Sequence, residues 1–132
     1  MRWKISKDEI RSKLQHGETI YTEVDIKEFP AIQYALVIEN EDEENKILVS
    51  LAFMMEKETK IRAKFKISLI PTNNFTCNAE QIFEESQERW GENICSYKEF
   101  FGPSNNYFID DFIYVTMEAI VTFENEPKVY QF

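Results

Sequence analysis

The 132-residue sequence predicts an all-β sandwich built from seven or eight short strands. Three observations lead there. Apolar and polar positions alternate along most of the chain, the signature of strands with one buried face. Polar turns separate these runs at short intervals. No internal repeat or Gly/Ser linker divides the chain, so residues 1–132 read as a single domain. With 43% hydrophobic and 14% aromatic residues, the sequence can bury a core large enough to offset the entropy of ordering.

The first strand is short, with Trp3 and Ile5 on one face and Arg2 and Lys4 on the other. From Ser6 or Lys7 to Gly17 runs a polar connection, in which Ile10 and Leu14 suit a turn of helix. Ile20, Thr22, Val24 and Ile26 then alternate against Tyr21, Glu23, Asp25 and Lys27, a strand that Pro30 breaks. Ile32, Tyr34, Leu36 and Ile38 form the inward set of the next one. It runs into residues 39–45, too charged to bury and therefore a solvated hairpin. That acidic run lacks the alternating ligands and the turn glycine of a calcium loop.

Ile47, Val49, Leu51, Phe53 and Met55 face one way, while Leu48, Ser50, Ala52 and Met54 face the other. A strand apolar on both faces is covered on both sides or sits in mid-sheet. Ile61, Ala63, Phe65, Ile67 and Leu69 alternate with Lys60, Arg62, Lys64, Lys66 and Ser68. Their basic wet face is expected at a sheet edge, where lysine discourages edge-to-edge pairing.

A turn at 71–74 leads into an ambiguous stretch. Phe75, Cys77, Ala79, Gln81 and Phe83 fit a period of two, yet Asn78 with Gln81 also resembles a helix cap. Ser96-Tyr97-Lys98-Glu99 has capping-box spacing, and Gly102-Pro103 stops the single helical turn it starts. Asn105-Asn106 turns the chain. Ile113, Val115, Met117, Ala119, Val121 and Phe123 then line one face of a long central strand, which 124–127 end. The last five residues read as a tail or a linker.

Composition narrows the function. Against 15 basic residues stand 24 acidic ones, a net charge of -9 that repels phosphate backbones and argues against nucleic acid. It favours basic partners, although plain solubility is its ordinary meaning. Cys77 and Cys95 have no CxxC spacing and read as small buried hydrophobes in a reducing compartment. No signal-like segment opens the chain and no run approaches the ~20 apolar residues that span a bilayer. A cytoplasmic, or nuclear, protein without membrane contact is expected, so the sequon at Asn74 is accidental.

No catalytic set stands out. His16 lies in a polar loop without metal-ligand neighbours, and neither a Gly-x-Ser-x-Gly elbow nor a phosphate-binding loop is present. Asp110 and Asp111, as neighbours on a strand, would point to opposite faces rather than converge on one substrate atom. Accepting backbone N–H bonds in a turn is their ordinary role. No enzyme, metal or cofactor is expected.

Several short motifs occur in a recognisable order: Trp3-Lys4-Ile5, Tyr34-Ala35-Leu36-Val37-Ile38, Arg62-Ala63-Lys64-Phe65-Lys66, Phe83 leading to Trp90-Gly91, Asn93-Ile94, and Phe108-Ile109-Asp110-Asp111-Phe112. In this order and spacing, from Trp3 to about Phe123, the chain resembles a MATH (meprin and TRAF homology) domain. That resemblance implies an eight-stranded antiparallel sandwich with one short helical turn, and it tips residues 75–83 toward strand. It also implies a shallow groove for short extended peptide motifs. By position the groove would be lined by Phe65, Trp90, Ser50, Gln81 and Glu92. Alternation also places Phe65 in the core set, as floor or plain core, and Trp90 would serve as ligand contact or as a plug against Phe83. Such a groove is less aromatic and more acidic than the family's, which suits a peptide with a basic residue. The closest style is that of MATH-BTB adaptors, which select substrates for cullin-type ubiquitin ligases through a BTB domain that this sequence lacks. The alternatives are a TRAF-like receptor-tail binder and the targeting domain of a deubiquitinase or protease whose catalytic part is absent.

Overall fold

In the computed structural model, described for residues 1–41, 44–71, 75–103, 106–124, 126 and 128–132, the alternation becomes two facing antiparallel sheets. In chain order the elements are β1 (Arg2–Ser6), α1 (Lys7–Gln15), β2 (Ile20–Asp25), β3 (Ile32–Glu41), β4 (Lys46–Met55) and β5 (Ile61–Ile70). They continue with β6 (Thr76–Phe83), β7 (Arg89–Ser96), α2 (Tyr97–Phe100), β8 (Phe112–Phe123) and β9 (Val129–Gln131). One sheet runs β2-β3-β4-β7. The other runs β1-β8-β5-β6, with β9 also paired to β8. An all-β sandwich is therefore what the chain forms.

Its core is the period-two pattern made three-dimensional. Leu36, Ile38, Leu51 and Phe53 of one sheet are buried, as are Ile61, Ala63, Ile67 and Val115 of the other. Each such large aliphatic or aromatic side chain contributes about 1.5–3 kcal/mol by leaving water. Phe53 meets Phe83 edge-on at 5.0 Å between ring centres, and Phe65 lies 6.4 Å from the same ring.

Residues 76–83 form strand, not helix: each of Cys77, Ala79, Gln81 and Phe83 lies opposite an inward residue of β5. The basic strand β5 is no edge. It is hydrogen-bonded to β6 on one side and β8 on the other, so Arg62, Lys64 and Lys66 stand on the solvent face of mid-sheet. Burial of one face determined its position, and lysine has no edge to protect there.

The tail expected at the end instead forms β9, so the described residues hold one strand more than the resemblance implied. Tyr130 packs against Phe29 and Phe123, and the ring of Phe132 stacks 5.0 Å from that of Tyr34. Aromatic burial outweighs the freedom of a short polar end. Together β1 and β9 share one edge of β8: Met117 exchanges backbone bonds with Met1, and Ala119 with Phe132.

The single-turn expectation for 6–17 falls short as well. The helix is nine residues long, and both of its ends are capped. Ser6 Oγ accepts from Glu9 N–H, and Gly17, at φ 70°, closes a Schellman motif with N–H bonds from Gly17 to Leu14 and from Glu18 to Lys13. Ile10 and Leu14 plug the end of the sandwich between β1 and β2. The expected capping box at Ser96 does form, with Ser96 Oγ 3.1 Å from Glu99 N. The turns expected at Thr72, Asn73, Asn74 and Asn105, the hairpin residues Asp42 and Glu43, and the breaks at Asn125 and Pro127 lie outside the described residues.

Asp110 and Asp111 do not sit on a strand. They are the two residues of a tight hairpin in which Ile109 and Phe112 exchange both backbone bonds. Both have positive φ, 50° and 65°, which identifies a type I′ turn. Replacing Asp111 with glycine, which adopts that φ freely, is expected to stabilise the fold by about 0.5–1 kcal/mol, whereas Asp111→Val destabilises it. Thermal unfolding of the two variants checks this through Tm shifts of a few degrees in opposite directions.

Candidate functional site

The free edges of the two sheets, β6 and β7, lie on the same flank of the sandwich and approach one another. From Arg89 to Asn93 every residue of β7 is exposed, and only beyond Ile94 does it become half-buried. A bulge marks the change. Ile47 pairs with Cys95 but Leu48 pairs with Asn93, leaving Ile94 as the extra residue. It keeps Trp90, Glu92 and Cys95 on the inner side of the strand, opposite Leu51, Val49 and Ile47.

The sites predicted from sequence fall on two sides of β7. Trp90 and Glu92 point inward from β7, and Gln81 does so from β6, opposite Ala63. Phe65 is 3% exposed and forms core, its ring 6.4 Å from that of Phe83. Three of the five, Trp90, Glu92 and Gln81, thus lie on the inward side of the two neighbouring edge strands, and Phe65 lies in the core. Ser50 does not join them: it faces outward from β4, opposite Gly91, and is fully buried among small neighbours. Among the described residues its hydroxyl finds no hydrogen-bond partner.

Trp90 is 40% exposed, so it is no interior plug. Its indole is nonetheless held in place. Nε1 donates to Glu88 Oε2 at 2.7 Å, while the other oxygen of that carboxylate accepts from the backbone N–H of Glu84 and Glu85. Residues 84–88 carry the chain from one sheet to the other, and further bonds tie them down. Gln87 N–H reaches Phe53 O, and Ser86 Oγ accepts from Met55 N–H. The clasp holds the Glu88 carboxyl below the usual glutamate range, chiefly through the Glu84 N–H, with help from the indole. Glu88 is the functional residue that sequence reasoning missed, because its partners arise only when the chain doubles back.

Glu92 gives this flank negative charge. Burial pushes the Cys77 thiol up to about 11, and the Glu92 carboxylate adds to the shift. Cys95 is raised by burial too, so both cysteines behave as packing residues. Where β7 meets the β3–β4 hairpin, an open trough of about 800 Å³ is lined by Glu39, Glu41, Leu48, Gly91, Glu92 and Asn93. Arg89 bridges Glu39 there at 2.7 Å.

Gly91 sits where nothing larger fits. A Cβ built on it would lie 1.9 Å from the carbonyl oxygen of Val49 and 2.6 Å from Ser50 Cα. Among the described residues, no three His, Cys, Asp or Glu side chains gather to hold a metal ion, and no helix is long and apolar enough to cross a membrane.

Two measurements test this geometry. Gly91→Ala is expected to cost about 1–3 kcal/mol, as overpacking does, read as a lower midpoint of denaturant unfolding. Because folding lowers the Glu88 pKa, the stability of its clasp is present above the ordinary glutamate pKa and is lost as pH falls through the lowered value. Trp90 emission in a Trp3→Phe background should therefore titrate below the ordinary glutamate range, and Glu88→Gln should abolish that step. No family model matches the chain, and comparison with curated proteins finds no match either.

Proposed function

We propose that the chain is a recognition module that takes short extended peptide segments along the open edge of β7. The observation that carries this reading is the exposed stretch 89–93, a row of free main-chain groups beside a half-exposed, clasped Trp90. An incoming strand can pair with such an edge, its main chain supplying affinity and alternate side chains supplying selection. One set would meet Trp90, Gln81 and Glu92 on the inner side. The other would pass over Gly91 toward Ser50, which accounts for predicted contacts on both sides of the strand. An indole already fixed by Glu88 loses little freedom on binding, and that favours its use as an anchor.

The motif order that resembles a MATH domain supports the same reading. On that resemblance the module selects substrates for a cullin-type ubiquitin ligase through a BTB partner domain, in the cytoplasm or nucleus. A contact of a few residues corresponds to micromolar affinity, about 8 kcal/mol.

A library of extended peptides titrated against the ¹⁵N-labelled protein tests the proposal. Binding is expected to shift the amides of 89–93, and Trp90→Ala should weaken it by about tenfold, or 1.4 kcal/mol, with the fold intact. Phe65→Ala is unsuitable for this purpose because it opens the core. Peptides that bind elsewhere, or equally well to Trp90→Ala, would remove the β7 edge as the site.

A further inference from the structure

The outer face of the five-stranded sheet carries charge opposite to that of the chain as a whole. Arg62, Lys64 and Lys66 run down its centre on β5, and Arg2 and Lys4 continue the basic surface on β1. Only Glu80 and Glu118 oppose these five on the strands beside them, in a protein of net charge -9. Each glutamate lies directly across from a lysine, Glu80 from Lys64 and Glu118 from Lys66. Such cross-strand pairs commonly close into ion pairs. Here, among the described residues, none of Arg62, Lys64 and Lys66 has a carboxylate within 4.0 Å, and the ion pairs that do form lie elsewhere.

The same face collects apolar side chains that water would otherwise disfavour. Ile70, Ile82, Ile120 and Val129 are 39–57% exposed, and they make up four of the seven large exposed hydrophobics among the described residues. Ile82 flanks Arg62 on one side, and Ile120 flanks Lys64 on the other. A groove of about 560 Å³ on this face is lined by Lys64, Lys66, Glu80, Glu118, Ile120 and Gln131 among others. Unpaired cations bordered by exposed aliphatic groups call for a partner that is both acidic and apolar.

The backbone decides the form of that partner. Over its paired length β5 is hydrogen-bonded on both sides, so this face offers no free main-chain groups to an incoming strand. A helix satisfies its own backbone and packs readily on a sheet face. Spacing agrees: alternate residues of a strand stand ~6.7 Å apart, and residues four apart on a helix ~6 Å. Carboxylates at i, i+4 and i+8 therefore match Arg62, Lys64 and Lys66. We infer that this face is a docking surface for an acidic amphipathic helix of a partner protein. Glu80 and Glu118 on either side restrict the acidic surface it accepts to one stripe. The inference concerns a different face from the β7 edge and stands independently of the peptide-binding reading.

The probe is a synthetic helical peptide of ~20 residues, with glutamates at every fourth position and leucines beside them. Titrated into ¹⁵N-labelled protein, it is expected to shift the amides of Arg62, Lys64, Lys66 and Ile120 and leave 89–93 unchanged. The exposed double variant Lys64→Glu/Lys66→Glu should bind at least tenfold more weakly while keeping a dispersed spectrum. A peptide with lysine in place of glutamate should then bind the variant and not the wild type. Three results would each overturn the inference: shifts confined to other faces or absent at millimolar peptide, affinity unchanged by the charge reversal, or equal binding of a proline-interrupted peptide of the same composition. Should the double variant lose its fold, Lys64→Gln/Lys66→Gln serves, with a smaller loss expected and unchanged affinity counting against the inference.

Discussion

The crossing from Phe83 to Arg89 governs the geometry of the flank. Those few residues must leave one sheet, reverse and enter the other, and they do so around a single carboxylate. Glu88 gathers two backbone N–H groups and the Trp90 indole, while Ser86 and Gln87 fasten the loop to β4. That knot adds a direct link between the edges of β6 and β7, which pairing to β5 and β4 otherwise holds in place. It sets an aromatic surface, a free strand edge and the charge of Glu92 on one flank.

Much of the fold was legible in the sequence because period-two burial is a strong local signal. Every inward set from β2 to β5 and along β8 emerged as read, and even the ambiguous 75–83 stretch obeyed its alternation. Two of the misreadings share a physical cause, in that each depended on partners distant in the chain. Val129-Tyr130-Gln131 is too short to announce a strand, and the rings of Phe29, Phe123 and Tyr34 are what give it a place. The basic face of β5 suggested an edge, but a sequence does not show which strands flank it. Helix α1 is a different case. Ser6 with Glu9 three residues on, and Gly17 after the last turn, mark both of its ends locally, and the polarity of the segment concealed them.

The candidate site was legible to a lesser degree. Trp90, Glu92 and Gln81 face inward from neighbouring edge strands, yet Phe65 is core and Ser50 lies on the other side of the strand. The alternation of β4 already separated Ser50 from Leu51, which pairs with Trp90. Assigning residues to a groove by family position says nothing about which side of β7 each one takes. Charge shows a similar limit: the total of -9 suggests basic partners, whereas the outer face of β5 is basic.

The way β1 and β9 share the margin of β8 has a consequence for solubility. A twelve-residue strand left bare on one side would be a ready template for foreign chains, and here two short pieces meet end to end along it. At the seam between Met117 and Ala119 stands exposed Glu118. Growth of the five-stranded sheet along the long edge of β8 is thereby discouraged, and among the described residues the borders left are the short outer edges of β1 and β9 and the edge of β6.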